Sequence, residues 1–571
     1  MINRSLSTQT VPLNHVIVSF ALIGLIFLAV AIYWPALDGP FLLDDYNNLN
    51  NLDAYANISL RPSKFIDEII QSIKENGSPG RILSFISFTI DDVAWPSNPW
   101  RFKYTNLMLH LLNGVLIFLL SRIILIGQVR NESESNYIAL LATSIWLLHP
   151  LLVSTTMYVV QRMVILSALF TLAGIIFYIK ARLNMRWSQK VYYLILSIVI
   201  ILFLVAAILS KEIGINYLVY IVIIEVTLLR NAACVRRVSL IWKIVFLYAP
   251  LAIILGYAVL SLGKLDEMFL RRDFSMLERL ITEPFVLLHY VFQILFPSAK
   301  LMSLFHDDII ISSSVLSSAG TFVSLLFVVV LPGLAIYIRK THSFIAFCVL
   351  WFFAGHLLEA SVLPLELYFE HRNYLPMLGI ILLMSYLLLH VVRRYKYSLL
   401  VVPFIMSVLI FQTHYLANVW SDEGKLYRQW ANNHPQSARA YLALAQYELS
   451  VNRDVLASIS LLRHIISFNE FHIIANLRYV QLTCNRSSSI DHVQKLISNS
   501  QSLYFKTGAL SALEAIVYNV ENNLCANGMQ DYIASLVEKL IINSRFTVVQ
   551  SDKAYLMRLL QRLGSADMGD K

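Results

Sequence analysis

Charge is scarce in this 571-residue chain: Asp, Glu, Lys and Arg make up 14% of it and hydrophobic residues 57%, where soluble globular domains carry about 25% charged residues. With a mean hydropathy of +0.63, that shortage excludes a soluble globular protein and leaves a polytopic membrane protein. Cysteine is nearly absent. The four present form no CxxC pair, so neither structural zinc nor thioredoxin-like chemistry is indicated. Cys484 and Cys525 would pair if their part of the chain faces an oxidising compartment; two separate core thiols are the other reading. Net negative charge is missing too. The balance is +9, but in a membrane chain excess Lys and Arg encodes orientation, so membrane lipids are the expected surroundings and no nucleic-acid partner is expected.

Long apolar runs stop after Tyr415. From Val16 up to that point, stretches of about 20 apolar residues recur, each long enough to cross a hydrocarbon core about 30 Å thick. Spans are expected near 16–36, 104–125, 137–155, 162–180, 191–209, 213–230, 239–261, 318–338, 342–360, 374–391 and 397–414, about 11 in all. The expected fold is all-α: a cytoplasmic N-terminus at 1–15, a polytopic transmembrane helix bundle at 16–415, and a soluble α-helical domain at 416–571. The apolar stretch from Val16 to about Pro35 is longer than a signal-peptide core, so it is expected to stay as a membrane anchor.

Basic residues gather in alternate connections, such as Lys180, Arg182, Arg186 and Lys190, then Arg230, Arg236, Arg237 and Lys243, then Arg393 and Arg394; these read as cytoplasmic loops of a multi-pass cell-membrane protein. Counting Ile281 to Phe296 as a crossing would reverse that bias, so it is assigned to the outer face as a re-entrant or interfacial helix. The C-terminal domain is then outside. The outer side also collects two long loops, at about 38–103 and 262–317, and three short turns.

The polar chemistry falls on that side. Asp44 and Asp45 follow the first span, with Arg81 in the same loop; His149 and Arg162 flank one short turn; Lys211 and Glu212 occupy the next; Glu366, Glu370, His371 and Arg372 fill the last. An unpaired charge near mid-bilayer costs about 2.5–3.5 kcal/mol on insertion scales, so ionisable groups at span ends are expected to pair or to line a wet cavity. A carboxylate beside a second one near the membrane is tuned toward base catalysis, and cations hold a departing phosphate; together these are what glycosyl transfer from a lipid-linked sugar requires. Adjacent side chains diverge, so one aspartate of the doublet is expected to face substrate, and the sequence does not say which. Plainer readings stand beside these: an Asp–Asn turn for the doublet, snorkelling anchors for Arg162 and Lys211, packed histidines for His110 and His149. Asp307 and Asp308, next to His306, offer either metal ligands or an exposed turn.

The ordered motifs FLLDDYN, GRILSFISF, NPWRFKYTNLMLHLLNGVL, WLLHPLLVSTTMYVVQRM, LSKE, ERLITEPFVLLHYVFQILFP, LPLELYFEHRNYLPMLG and WSDEGKLYRQWANNHPQSARAYLALA cover most of residues 20–450. Taken together they resemble the membrane-spanning, tetratricopeptide-containing O-mannosyltransferase-like proteins and their bacterial relatives, of the GT-C glycosyltransferase fold. The resemblance implies an inverting transferase that takes a sugar from a polyprenyl phosphate or pyrophosphate at the outer face and passes it to a protein or glycan acceptor. No cofactor is firmly implied; a divalent cation is left open. It carries Asp44 or Asp45 over as the base or metal contact. Arg162, Lys211, Glu212, Glu370, His371, Arg372 and Tyr374 are carried over as substrate-binding residues, with Arg162, Lys211 and Arg372 on the phosphate; Arg81 and His149 join the substrate-binding set from their place on the outer side.

The tail has one readable repeat, at 437–470, where Tyr441, Leu444, Ala445, Ala457 and Leu461 fall at tetratricopeptide (TPR) spacings; 475–484 and 507–519 are helical in period only. Such a TPR-like domain would either present the acceptor or merely cap the outer loops. Competing readings of the whole chain are an O-antigen-type polymerase or ligase, and a non-enzymatic lipid-carrier transporter or repeat scaffold.

Overall fold

The computed structural model of the protein describes residues 13–564 apart from 51, 53–54, 57–63, 65, 72–79, 127, 130, 231–235, 261–262, 264–267, 270–271, 396–399, 504, 507, 544–545 and 548–549. The expected cytoplasmic segment 1–15 lies almost wholly outside these residues. All regular structure among the described residues is helical. Two compact units are present, one of Met1–Ser261, Leu277–Leu304 and Ser312–Lys425, the other of Leu262–Met276, Phe305–Ile311 and Leu426–Lys571. The boundary therefore falls about ten residues later than the composition shift at 416, and two short pieces of the expected outer loop cluster with the C-terminal helices.

The first unit contains α1 (Leu13–Tyr33), α2 (Asp44–Leu49), α3 (Ile82–Thr89), α4 (Pro99–Leu125), α5 (Glu132–Leu147), α6 (Leu151–Met157), α7 (Arg162–Leu183), α8 (Gln189–Ser210) and α9 (Asn216–Val226). It continues with α10 (Leu240–Lys243, a π-helical turn Ile244–Tyr248, then Ala249–Leu260), α11 (Met276–Leu295), α12 (Ala319–Ile338), α13 (Ser343–His356), α14 (Met377–Arg394) and α15 (Val401–Val419). Seven of these are long and apolar enough to cross a membrane, and an eighth crossing results if α5 and α6, bent by 66° at their junction, count as one. The bend is local chemistry: Pro150 has no N–H to give, and His149 Nδ1 accepts the Leu151 N–H at 3.2 Å where the helix restarts. Of the spans expected from the sequence, those at 213–230, 239–261 and 342–360 correspond to shorter or interrupted helices, α9, α10 and α13.

Helix starts follow their side chains. Asn98 caps α4 ahead of Pro99, Asn131 caps α5, Ser188 caps α8 and Ser318 caps α12, each accepting a first-turn N–H that the helix itself leaves unpaired. Close approach is bought by glycine at Gly379, where a Cβ would stand 2.3 Å from the Cys348 carbonyl oxygen, so α13 and α14 pack backbone to backbone. Several charges inside this unit are paired. Glu225 takes Arg182 at 2.8 Å and Lys243 at 2.6 Å, and Glu134 takes Arg393 at 2.5 Å.

The second unit holds α16 (Glu423–Asn433) from Leu426 on, α17 (Ala438–Ser450), α18 (Val455–Phe468), α19 (Ile473–Thr483), α20 (Ser488–Ser498), α21 (Ala509–Glu521), α22 (Met529–Ile542) and α23 (Gln550–Arg562). The one readable repeat is a helix pair, α17 on α18, with Ala438, Ala445, Leu462 and Ile465 in its core and Tyr441 and Leu461 packed at the side. Small residues let the two axes approach. From Ile473 onward a larger core gathers Leu477, Val480, Leu513, Ile516, Leu536, Val537 and Leu556 from four helices.

Cys484, just after α19, is bonded to Cys525 in the turn between α21 and α22, which decides between the two readings left by the sequence. The bridge spans 41 residues. Chain-entropy arithmetic for such a loop gives about 4 kcal/mol, so Cys484→Ser, or a reductant on the intact protein, should lower the unfolding temperature of this unit, read by differential scanning fluorimetry. A bridge that leaves no mobility difference between reduced and unreduced gels would contradict the pairing.

Candidate functional site

The aspartate doublet is resolved by its surroundings. Asp45 is fully buried, with Oδ2 accepting the Leu42 N–H at 2.9 Å and Oδ1 accepting the Val160 N–H at 2.7 Å. Burial lifts its carboxyl to about 7, although the two N–H donors and Lys103 pull the other way. Asp44 is exposed. Its backbone N–H donates to the Tyr158 hydroxyl at 2.9 Å, and its carboxylate lies beside the same phenol. Leu43, just before, sits at φ +37°, a region that non-glycine residues occupy only when surrounding contacts force it. The contacts of both following residues flank it, the Asp44 N–H on Tyr158 and the Asp45 carboxylate on Leu42 and Val160. Locking the second aspartate inward turns the first one out.

A cationic cluster hangs on the same stretch of chain. Arg81 Nη1 reaches Met163 Sδ at 3.4 Å, and Tyr158 to Met163 is five residues of tight helix, roughly 8–10 Å of rise. Arg81 Nε contacts both Glu212 carboxylate oxygens at 3.1 Å, in a half-exposed pair that holds Glu212 below the usual carboxylate range against the effect of burial. Lys211, next to it, has no salt-bridge partner among the described residues, and burial draws its ammonium down to about 8 despite the charge of Glu359. Ser84 Oγ bonds the Ser210 carbonyl at 2.8 Å and so ties α3 to this turn.

His371 completes the group. Burial first, then the charges of Lys211, Arg372 and Arg81, push its imidazole well below the usual range, so three cations from three segments share one neutral ring. Arg372 is buried and donates to the Leu367 and Glu366 carbonyls, with Glu283 at 3.9 Å. Beside it, a cavity of about 30 Å³ is lined by His371, Arg372, Asn216, Tyr220, Gly355 and Pro376. Pro376 is three residues, roughly 5 Å of helix, from Gly379, where a second and almost wholly apolar cavity begins. This one has about 460 Å³ and runs among α11, α12, α13 and α14, with Val291, Phe327, Cys348, Phe353, Gly379 and Leu387 in its walls.

Other residues expected at the site are closed in by the protein. Arg162, completely buried, gives Nε to Asn106 Oδ1 at 2.7 Å, Nη1 to the Ser87 carbonyl and Nη2 to the Phe102 carbonyl, each at 2.8 Å, and pairs with Asp91. The Phe88 ring lies 4.6 Å below its guanidinium. No face is left for a phosphate, so Arg162 organises the bundle and leaves the phosphate set. His149 Nε2 donates to the Ile294 carbonyl at 3.1 Å while Nδ1 caps α6; Tyr374 shares its hydroxyl with His110 and Asn113; Glu370 Oε1 accepts the Ser303 N–H. His149 and Glu370 are thus held by backbone groups, while Tyr374 also lines the small cavity beside Arg372. Sequence reasoning missed Tyr158, Glu283 and Glu359; the only signal for the two glutamates was their place in otherwise apolar segments. In the second unit, His306, Asp308 and His434 form a separate cluster of ligand-type side chains.

No protein-family model, curated protein or solved structure matches this chain.

The two aspartates should part company on mutation. Asp45→Asn turns one acceptor into a donor opposite a backbone N–H and should cost about 1–3 kcal/mol, whereas Asp44→Asn should leave the unfolding temperature unchanged. Arg162→Gln strands Asp91 without its cation and should lower stability by about 3–5 kcal/mol. Thermal unfolding in detergent reads all three. Equal losses at positions 44 and 45 would remove the inward–outward distinction.

Proposed function

We propose that the chain is an integral-membrane glycosyltransferase of the GT-C type, transferring a sugar from a polyprenyl-phosphate-linked donor to a protein or glycan acceptor at the outer face of the membrane. In this reading α9, α10 and α13 also cross, which with the bent α5–α6 pair brings the spans to about 11. The N-terminus is then cytoplasmic and the second unit is an extracytoplasmic TPR-like domain. Basic residues at the opposite helix ends from the site, Arg182, Lys243 and Arg393, support that orientation, and the disulfide suits an oxidising side.

One observation carries the reading: Arg81, Lys211 and Arg372, from three separate segments, bear on a single buried imidazole, while Asp44 is exposed and bonded through its N–H to Tyr158, five residues before the Met163 that Arg81 meets. Asp44 takes the proton from the acceptor hydroxyl, and the resulting oxygen attacks the anomeric carbon with inversion. The bond from that carbon to the phosphate oxygen breaks, and the electron pair leaves on the phosphate. Lys211 and Arg372 stabilise that charge in a site of low dielectric, with Arg81 held in reserve by Glu212. The apolar cavity suits the isoprenoid tail.

Asp44→Asn should lower transfer by about 10²–10⁴-fold in an in vitro assay with lipid-linked sugar, without loss of protein from the membrane. Lys211 is charged below its value of about 8 and neutral above it, so the donor KM should rise as pH passes through that value. Lys211→Arg should remove this rise, because guanidinium stays charged across the range. A pH-independent donor KM in the unaltered enzyme would argue against a phosphate role. Product analysis separates the alternatives: a single sugar on acceptor supports the proposal, a long glycan on lipid identifies a polymerase or ligase, and dispensable aspartates identify a transporter or scaffold.

A further inference from the structure

The second unit carries a group of side chains that sugar transfer does not use. His306 and Asp308 come from the Phe305–Ile311 segment and His434 from the turn between α16 and α17, and one donor atom of each lies within 4.8 Å of the other two. Asp308 Oδ2 is 2.9 Å from His434 Nδ1, and the two imidazoles meet edge to face with centroids 4.8 Å apart. The segment bearing the first two is held firmly. Ser437 Oγ donates to Asp307 Oδ1, and the Arg439 N–H donates to Asp307 Oδ2 at 3.2 Å, at the start of α17.

The hydrogen bonding of His434 is incomplete. A carboxylate only accepts, so Nδ1 carries a proton, and in the neutral ring Nε2 holds the lone pair. His434 is 7% exposed, and its Nε2 is buried without a hydrogen-bond partner among the described residues. A cation supplies what the protein's own donors do not. Half a turn about χ2, the soft two-fold torsion of histidine, brings Nε2 to the carboxylate edge.

We propose that His306, Asp308 and His434 bind one divalent transition-metal ion of the Zn²⁺ class, which clips the Phe305–Ile311 segment to the α16–α17 turn. Two imidazole nitrogens and one carboxylate oxygen match that ion and leave a fourth position for water, whereas Ca²⁺ and Mg²⁺ favour all-oxygen sets. Tetrahedral bonds of about 2.0–2.1 Å place donors roughly 3.3 Å apart, so side-chain rotation closes the present spacing without moving the backbone. The Ser437 and Arg439 contacts to Asp307 supply the outer support that such sites need.

The test uses full-length protein in detergent, purified on a tag without histidine, stripped with chelator and dialysed against micromolar Zn²⁺. Elemental analysis should find about one zinc per chain, and roughly tenfold less in His434→Gln and in Asp308→Asn. Zinc should raise the unfolding temperature of the unaltered protein by several degrees and leave both variants unmoved. Cobalt substituted for zinc should give visible d–d bands that neither variant shows. Less than about a tenth of a zinc in the unaltered protein overturns the proposal whatever the variants do, and so does undiminished zinc in both variants.

Discussion

The buried Asp45 carboxylate is the fastening on which the candidate site depends. It accepts backbone N–H groups from its own loop at Leu42 and from the turn just before α7 at Val160, joining segments 115 residues apart in sequence. Backbone donors at both oxygens leave little rotational freedom, and the strained Leu43 records how tightly the loop is drawn in. The outward face of Asp44 is therefore a result of where Asp45 is pinned. The loop is a rigid bracket.

The same constraint sorts the other charges. An ionised group in an apolar bundle survives if it is paired or fully hydrogen-bonded, and Arg162, Arg182 and Glu134 are satisfied in that way. Where satisfaction is partial, the positions coincide with the candidate site. Lys211 lacks a salt-bridge partner among the described residues, Arg372 Nε is buried without a hydrogen-bond partner there, and His371 stays neutral among cations. Incompletely paired donors of this kind are where an anionic ligand would find partners.

What was legible in the sequence, and what was not, follows from range. Helical character and the membrane class are properties of composition and period, so they could be read locally. Asp44 with Asp45, and the Lys211–Glu212 and His371–Arg372 turns, stood out in the sequence because charge at span ends is costly wherever the chain goes. The roles within those groups did not. Arg162 looked like a phosphate ligand because its cage comes from Ser87, Asp91, Phe102 and Asn106, none of which its own motif contains. His434 was passed over in a helical tail because the carboxylate facing it lies 126 residues upstream. The bounds of α13 were not legible either: apolar composition runs on past His356, where the backbone leaves the helix, so the span expected at 342–360 corresponds to a helix of 14 residues.

The apolar cavity among α11–α14 holds about 460 Å³. For the proposed donor, that is room for only the first few isoprene units; the remainder of a long polyprenyl tail stays in the surrounding lipid. Such an enzyme would be blind to total tail length and strict about what sits at the head, so shortened synthetic carriers would serve it nearly as well as the natural one.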